Sequence, residues 1–331
     1  MLYLVEHQRG FLYHFVDVRS GKRMFACEVS SIDTALAACG AMVAATEFGG
    51  EMAELAEKFL NRIDWQWMLA GGDTLSMGWK PETEFLPSRW DRYSELMVMV
   101  LIAIGSRHHA IPPDCWYAWE RRDVLHHNGV PFVTYPPLFV HQYSHAFFDF
   151  RSWYLPGDFD AWQNAVTAHQ AHSEFLQRLA KRYPKRFGHY SEKLWGITSS
   201  DSESGYRDWG GPYRDHVSEP ERGIDGTIVP SAAAGALAIV PDQAINTLLY
   251  QQENYGDQIW GPFGFTNAFN PASGWIGPDV IGIDTGISLL MAENALRGSV
   301  WQAFMQHPIA QRAIKRVGFQ PREPHDIFAL S

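Results

Sequence analysis

The 331-residue sequence predicts a mainly α protein, and three observations carry that reading. Apolar residues recur at helical spacing in segment after segment. Alternating Val/Ile/Thr strand patterns are scarce. One segment, 96–104, is apolar on every side, which demands burial all round. The first helix follows Ile32, Leu36, Cys39, Val43 and Thr46, with Ser30 or Ser31 as N-cap and Gly49–Gly50 as its stop. A second runs over Met52–Leu69 with Leu55, Phe59 and Ile63 on one face. A third spans Asp91–Ile104, with Asp91 read as its N-cap. Further helices are expected at 158–183, 241–254, 285–298 and 299–316, and strands at 130–140 and 226–230. All-apolar helices beside one-faced helices imply inner helices wrapped by outer ones, as in a toroid of α-hairpins. No fixed-period repeat accompanies that pattern, and we read residues 1–331 as a single catalytic domain.

Two stretches lack periodicity. Phe187–Pro230 carries Trp195, Tyr206, Trp209 and Tyr213; Gly256–Ile283 carries Trp260, Phe263, Phe265, Phe269 and Trp275. Loops this long are functional or disordered, and the aromatic content favours cleft walls. Thirteen Trp either line a wet groove or fill a Trp-rich core, because an indole N–H needs a partner when buried. The charge balance, 27 − 37 = −10, argues against a nucleic-acid partner. With 46% hydrophobic and 19% charged residues, disorder is excluded. Cys27, Cys39 and Cys115 form no CxxC pair, so neither a disulfide framework nor a structural zinc site is expected. The longest apolar run, Leu96–Ile104, is about half a membrane span. Leu2–Val5 meets Glu6 at once, without a signal-peptide core. We expect a soluble chain as written, with no membrane partner.

Three acids stand at predicted helix starts: Asp33, Glu95 and Asp284. If their helices are parallel inner helices, the carboxylates open on one mouth, as a general acid and base require. The bland alternative is N-terminal capping and dipole stabilisation. Glu293 lies nine residues beyond Asp284, about 900° around the helix, and so points away from it. His141 and His145 in HQYSH, and His169 and His172, have helical spacing. HQYSH lacks the Glu of HExxH, so hydrogen bonding is favoured over metal ligation. No GxSxG, Walker or GxGxxG pattern occurs, and KRYPKR at 181–186 reads as a solvated helix end. Neither a metal nor a cofactor is called for.

Eight ordered segments together resemble one family: GFLYHFVDVRSGKR (10–23), EVSSIDTAL (28–36), SMGWKPE (76–82), FLPSRWDRYSE (85–95), FVHQYSHAFFDFR (139–151), LWGITSSDSESGYRDWGGP (194–212), DGTIVPSAAAGAL (225–237) and IGIDTGISLLMAENALRG (281–298). They are similar to the bacterial glucoamylase-like family, which includes glycoside hydrolases of family 144 that degrade β-1,2-glucan. The resemblance implies an (α/α)6 toroid. The chain departs from the family in having only nine residues before the GFLYHF match, and nine or ten helices are counted where a full ring needs twelve. Either the ring is open, or its first hairpins are missing or supplied by another chain. The resemblance also implies hydrolysis of a β-glucan, β-1,2 in linkage. Glu95 then matches the acid beside the scissile bond, Asp284 the carboxylate opposite, and Asp33 an acidic position near the reacting sugar.

The expected mechanism is inverting, with Glu95 as general acid and Asp284 as base. The expected substrate contacts are Asp33, Trp79, Trp90, Tyr93, Trp195, Asp201, Trp209, Trp260 and Phe265. His141, Gln142, His145 and Asp149 are expected to hydrogen-bond sugar hydroxyls, or else to brace the ring internally. Transglycosylation, or glucan binding without catalysis, are the alternatives. Oligomeric state is not legible.

Overall fold

The computed structural model describes residues 5–213 and 223–323. Twelve α-helices lie among them: α1 Ser31–Phe48, α2 Gly50–Asn61, α3 Trp65–Met68, α4 Leu96–Gly105, α5 Tyr143–Phe147, α6 Ala161–Arg182, α7 Pro184–Phe187, α8 Pro230–Ala234, α9 Pro241–Ile259, α10 Gly282–Leu296, α11 Ser299–Gln306 and α12 Pro308–Val317. The strands among the described residues are two to four residues long. The mainly α expectation therefore stands. The chain divides into two compact units. One comprises the chain up to Arg121, Phe147–Asp158 and the chain from Val300; the other comprises Arg122–Ala146 and Phe159–Ser299.

In the first unit, α1 begins where the sequence said it would. Ser30 caps it, accepting from the Asp33 N–H at 3.2 Å, and Gly49 ends it at φ 60°. The predicted 52–69 helix is instead two, because Asp64 accepts from the Trp67 N–H and starts α3 afresh. Every residue of α4 is buried. Its partner α12 packs so close that a Cβ on Gly105 would stand 2.1 Å from the Ile309 carbonyl oxygen. Arg312 and Arg316 of α12 donate to the Gly105 and Ile104 carbonyls, satisfying acceptors that every helix C-terminus leaves open. Asp91 is not the N-cap of this helix, contrary to expectation. Residues 91–95 run as a loop tied to Glu120, whose N–H donates to Asp91 O and whose O accepts from the Tyr93 N–H. The predicted 299–316 helix breaks at Pro308, which cannot donate to the preceding turn.

In the second unit, Asp160 caps the 22-residue α6. The strand expected at 130–140 is the second arm of a hairpin, Val124–His127 with Val130–Val133. Asn128 and Gly129 both have positive φ, at 49° and 81°, as a two-residue type I′ turn requires. Asn164 of α6 clamps this hairpin, accepting from Val133 N–H at 2.6 Å and donating to Val133 O at 3.0 Å. The strand expected at 226–230 shrinks to one bridge, Ile228 with Phe269. The 256–283 stretch is not structureless: α9 continues to Ile259, and two antiparallel hairpins follow, 260–265 and 269–276. Residues 191–207 carry two further bridges. The short buried α8 packs on both α9 and α10. No helix among the described residues is long and apolar enough to cross a membrane. All three cysteines are free and buried.

Candidate active site

In the first unit, the starts of α1 and α4 are tied together. Trp90, in the loop before α4, donates its indole N–H to Ser31 Oγ at 2.8 Å, and Ser31 Oγ donates to Ser76 O and Met77 O. Asp33 and Glu95 therefore belong to helices that begin at this shared junction. Asp33 lies in the first turn of α1, half-buried, with Oδ2 3.8 Å from His14 Nε2. His14 Nδ1 is 3.0 Å from Glu28 Oε1, and Lys80 Nζ is 3.9 Å from Glu28 Oε2. Burial opposes ionisation of Glu28, but its backbone hydrogen bond, His14 and Lys80 outweigh that and hold its carboxyl below the ordinary range. Trp79 pairs with Val29 across the adjoining strands and faces Trp67 at 5.7 Å. Glu95 occupies the N-cap position of α4 itself, one residue before the first turn, and is half-buried. Its carboxylate makes no capping hydrogen bond to the helix, so capping does not account for it.

In the second unit, Asp284 sits in the first turn of α10. Asn267 Nδ2 donates to Asp284 Oδ2 at 2.5 Å, and Ser231 Oγ donates to Oδ1 at 3.1 Å. Burial pushes the Asp284 carboxyl above its ordinary pKa; the two donors pull it down, the Asp201 charge pushes it up, and the net direction is up. Asp201 is held in turn by Asn267, whose Oδ1 accepts the Asp201 N–H at 2.8 Å. The Tyr206 ring is largely exposed; partial desolvation raises its pKa, the Ser199 hydrogen bond opposes that, and the charges of Asp208, Asp201 and Asp284 add to the rise. Trp260 stands half exposed on its hairpin, edge-to-face with the half-buried Phe265 at 4.6 Å. Glu293 pairs with Arg297 at 2.8 Å and Ser299 at 2.7 Å, well along α10 from Asp284.

Several expected substrate contacts are interior instead. His141, Gln142 and His145 are at most 2% exposed, so they brace the second unit rather than meet sugar hydroxyls. Gln142 Nε2 donates to Ala232 O at 2.8 Å and lies 3.0 Å from His169 Nε2. His169 Nδ1 and His172 Nδ1 each face a carbonyl at 2.7 Å, and His172 Nε2 accepts from Ile197 N–H. Burial holds His145 at about 3 and His169 and His172 at about 4. The His169 and His172 rings are neutral, as that hydrogen-bond pattern requires. Trp195 and Trp209 are likewise buried, as are Trp90 and Tyr93; with their faces enclosed by protein, none offers a stacking surface. Asp149 belongs to the first unit and caps a turn through the Ser152 N–H at 3.1 Å. No group of three or more metal-binding side chains occurs among the described residues. A cavity of about 440 Å³ against α6, lined by His126, Phe175, Arg178 and Tyr213 among others, contains none of the candidate acids.

Sequence reasoning missed Asn267, Ser231, His14 and Glu28. Asn267 and Ser231 carry no periodic signal, because each is placed by a hairpin or short helix that only the fold brings to α10. His14 and Glu28 were inside quoted motifs, but nothing in their spacing marked them as a pair.

An exo β-1,2-glucooligosaccharide sophorohydrolase of Parabacteroides distasonis is 24% identical over 350 aligned positions, covering 93% of this chain and 46% of that protein. The chain thus spans about half the length of that relative. The solved endo-β-1,2-glucanase of Chitinophaga pinensis, in complex with sophorotriose and glucose, superposes with a TM-score of 0.85 at 22% identity, over 96% of this chain and 79% of that one. A solved β-1,2-glucanase of Parabacteroides distasonis gives 0.84 at 21% identity, over 96% and 49%. At these identities the solved structures establish a shared fold. The Glycoamylase family, described as "Putative glucoamylase", matches residues 87–308, a span that includes both Glu95 and Asp284. The chain belongs to the Glycoamylase family.

Proposed function

We propose that the protein is a glycoside hydrolase acting on β-1,2-glucan through two carboxylates, Glu95 as general acid and Asp284 as general base, with inversion. Glu95 protonates the departing glycosidic oxygen. Asp284 takes a proton from the water that attacks the anomeric carbon from the opposite face. The observation that carries this reading is the setting of Asp284. It is a carboxylate at a helix start whose oxygens are engaged by Asn267 and Ser231, with burial and Asp201 raising its pKa. A base with a raised pKa keeps more affinity for the proton it must accept. The substrate class rests on the relatives: the sophorohydrolase and the two glucanases are all named for β-1,2-linked glucose. We further propose that residues 1–331 form one (α/α)6-type catalytic domain, a reading supported by fold likeness to the C. pinensis glucanase over 96% of the chain. The test is a reducing-end assay of purified protein on β-1,2-, β-1,3-, β-1,4- and α-1,4-glucans. Release from β-1,2-glucan alone is expected, and release from none of them would defeat the proposal. Products heavier than the substrate by mass would replace hydrolysis with transglycosylation.

A further inference from the structure

The first unit displays a pair of aromatic rings in water on a turn that is costly to form. Phe25 is 77% exposed and Phe15 is 49% exposed. Phe25 and Ala26 both adopt positive φ, at 55° and 49°, a region that a bulky side chain rarely enters. The turn is held from several sides. Arg23 Nε donates to Cys27 O at 2.6 Å, and its guanidinium grips Glu82 in a fork at 2.6 and 2.9 Å. The Met24 N–H donates to Phe15 O at 2.9 Å, and the Phe15 N–H reaches Cys27 Sγ at 3.2 Å. Such bracing fixes a strained backbone whose outcome is an apolar ring pointed at solvent, which folding alone does not favour.

The rings lead directly to the acids. Phe25 meets Phe15 edge-to-face at 5.8 Å, and Phe15 stacks on His14 at 4.3 Å with 13° between the planes. His14 in turn reaches Glu28 at 3.0 Å and Asp33 at 3.8 Å. The exposed Phe25 ring, with Phe15 edge-to-face against it and an imidazole and two carboxylates beyond, suits a pyranose ring. The sugar's C–H face packs on the aromatic plane, while its equatorial hydroxyls donate to carboxylate oxygens. We propose that Phe25, braced edge-on by Phe15, forms the platform of a sugar-binding subsite continuous with His14, Glu28 and Asp33, which engages a glucose unit of the substrate chain beyond those at the reacting bond. The inference rests on the glucan reading for the identity of the sugar.

The experiment is calorimetric titration, on ice to suppress turnover, with β-1,2-linked glucooligosaccharides of about three and about ten units. Wild type, Phe25→Gly, Phe25→Trp and Phe15→Ala are compared, with a melting curve for each. Wild type should bind the longer chain about five- to tenfold more tightly, the range of one aromatic contact. Phe25→Gly and Phe15→Ala should lose that preference, and Phe25→Trp should keep it. Glycine accepts φ 55° freely, so Phe25→Gly should melt no lower than wild type; if Phe15→Ala does not fold, Phe25→Gly decides. Wild-type affinity in Phe25→Gly for both lengths, or no binding by wild type, would overturn the subsite. Phe25-dependent binding without any cleavage would instead sink the hydrolase reading and leave the subsite standing.

Discussion

Asn267 joins two acidic residues in one contact: its Nδ2 donates to Asp284 at 2.5 Å while its Oδ1 accepts the Asp201 N–H at 2.8 Å. The donor favours the ionised form of Asp284, against burial and the Asp201 charge. Replacing Asn267 with Ala removes that donor, so the Asp284 pKa should rise. A general base works only when deprotonated, so the acidic limb of the pH–rate profile should move to higher pH. The pH dependence of kcat/KM on the best glucan tests this. An unmoved acidic limb would mean that Asp284 is not the titrating base.

The buried histidines predict acid sensitivity. In the folded chain His145 titrates at about 3, and His169 and His172 at about 4, whereas an unfolded histidine titrates at about 6.5. The unfolded state therefore binds more protons between these values. The contribution is complete above about pH 6.5 and is lost as pH falls toward 4. Tm should drop steeply over that interval, with the His169→Gln variant showing a shallower slope from a lower starting Tm. A Tm that is flat from pH 7 to 4.5 would contradict the burial of neutral rings.

Two glycines should respond with opposite signs. A methyl group on Gly105 would collide with the Ile309 carbonyl of α12, whereas one on Gly40 of α1 meets nothing within 4 Å. Gly105→Ala should cost about 1–3 kcal/mol through forced separation of α4 and α12. Gly40→Ala should be stabilising by about 0.5–1 kcal/mol, from helix propensity. Denaturant midpoints decide, and equal effects would show that the close approach at Gly105 is not structurally required.

Local signals were legible wherever local chemistry decides. Ser30 and Gly49 bounded α1 because cap hydrogen bonds and left-handed stops are set by adjacent residues. Leu96–Ile104 was readable as buried on all sides because no polar face exists to expose, and the helix over Leu96–Gly105 is buried throughout. The start of α4 was misplaced because Glu120, twenty-five residues beyond Glu95 in sequence, holds Asp91 and Tyr93 out of the helix. The strand expected over 130–140 starts at Val130 but ends at Val133, and the Asn128–Gly129 turn pairs it with an arm at 124–127 that periodicity alone does not mark. His141, His145, Trp195 and Trp209 carry polar atoms that suggest a wet site. His141, His145 and Trp195 pack against His169, Trp162 and His172 of α6, and no spacing within HQYSH reveals that packing. Asp33, Glu95 and Asp284 were marked by their positions at helix starts, but Asn267 and Ser231 were not. The residues that tune an acid come from elsewhere in the fold.

The central claim is that Glu95 and Asp284 act in chemistry rather than in helix stability, and turnover of matched variants tests it most directly. Glu95→Gln, Asp284→Asn and Glu293→Gln are compared on the best glucan, each with its Tm. Glu293 serves as control because its partners are Arg297 and Ser299 near the far end of α10. Glu95→Gln and Asp284→Asn should each lose about 10²–10⁴ in kcat, the usual contribution of acid–base catalysis. A helix-terminal charge contributes only about 0.3–1 kcal/mol, so Tm should shift little, and Glu293→Gln should keep full activity. Full activity in either Glu95→Gln or Asp284→Asn, or equal losses in all three with lowered Tm, would contradict the account.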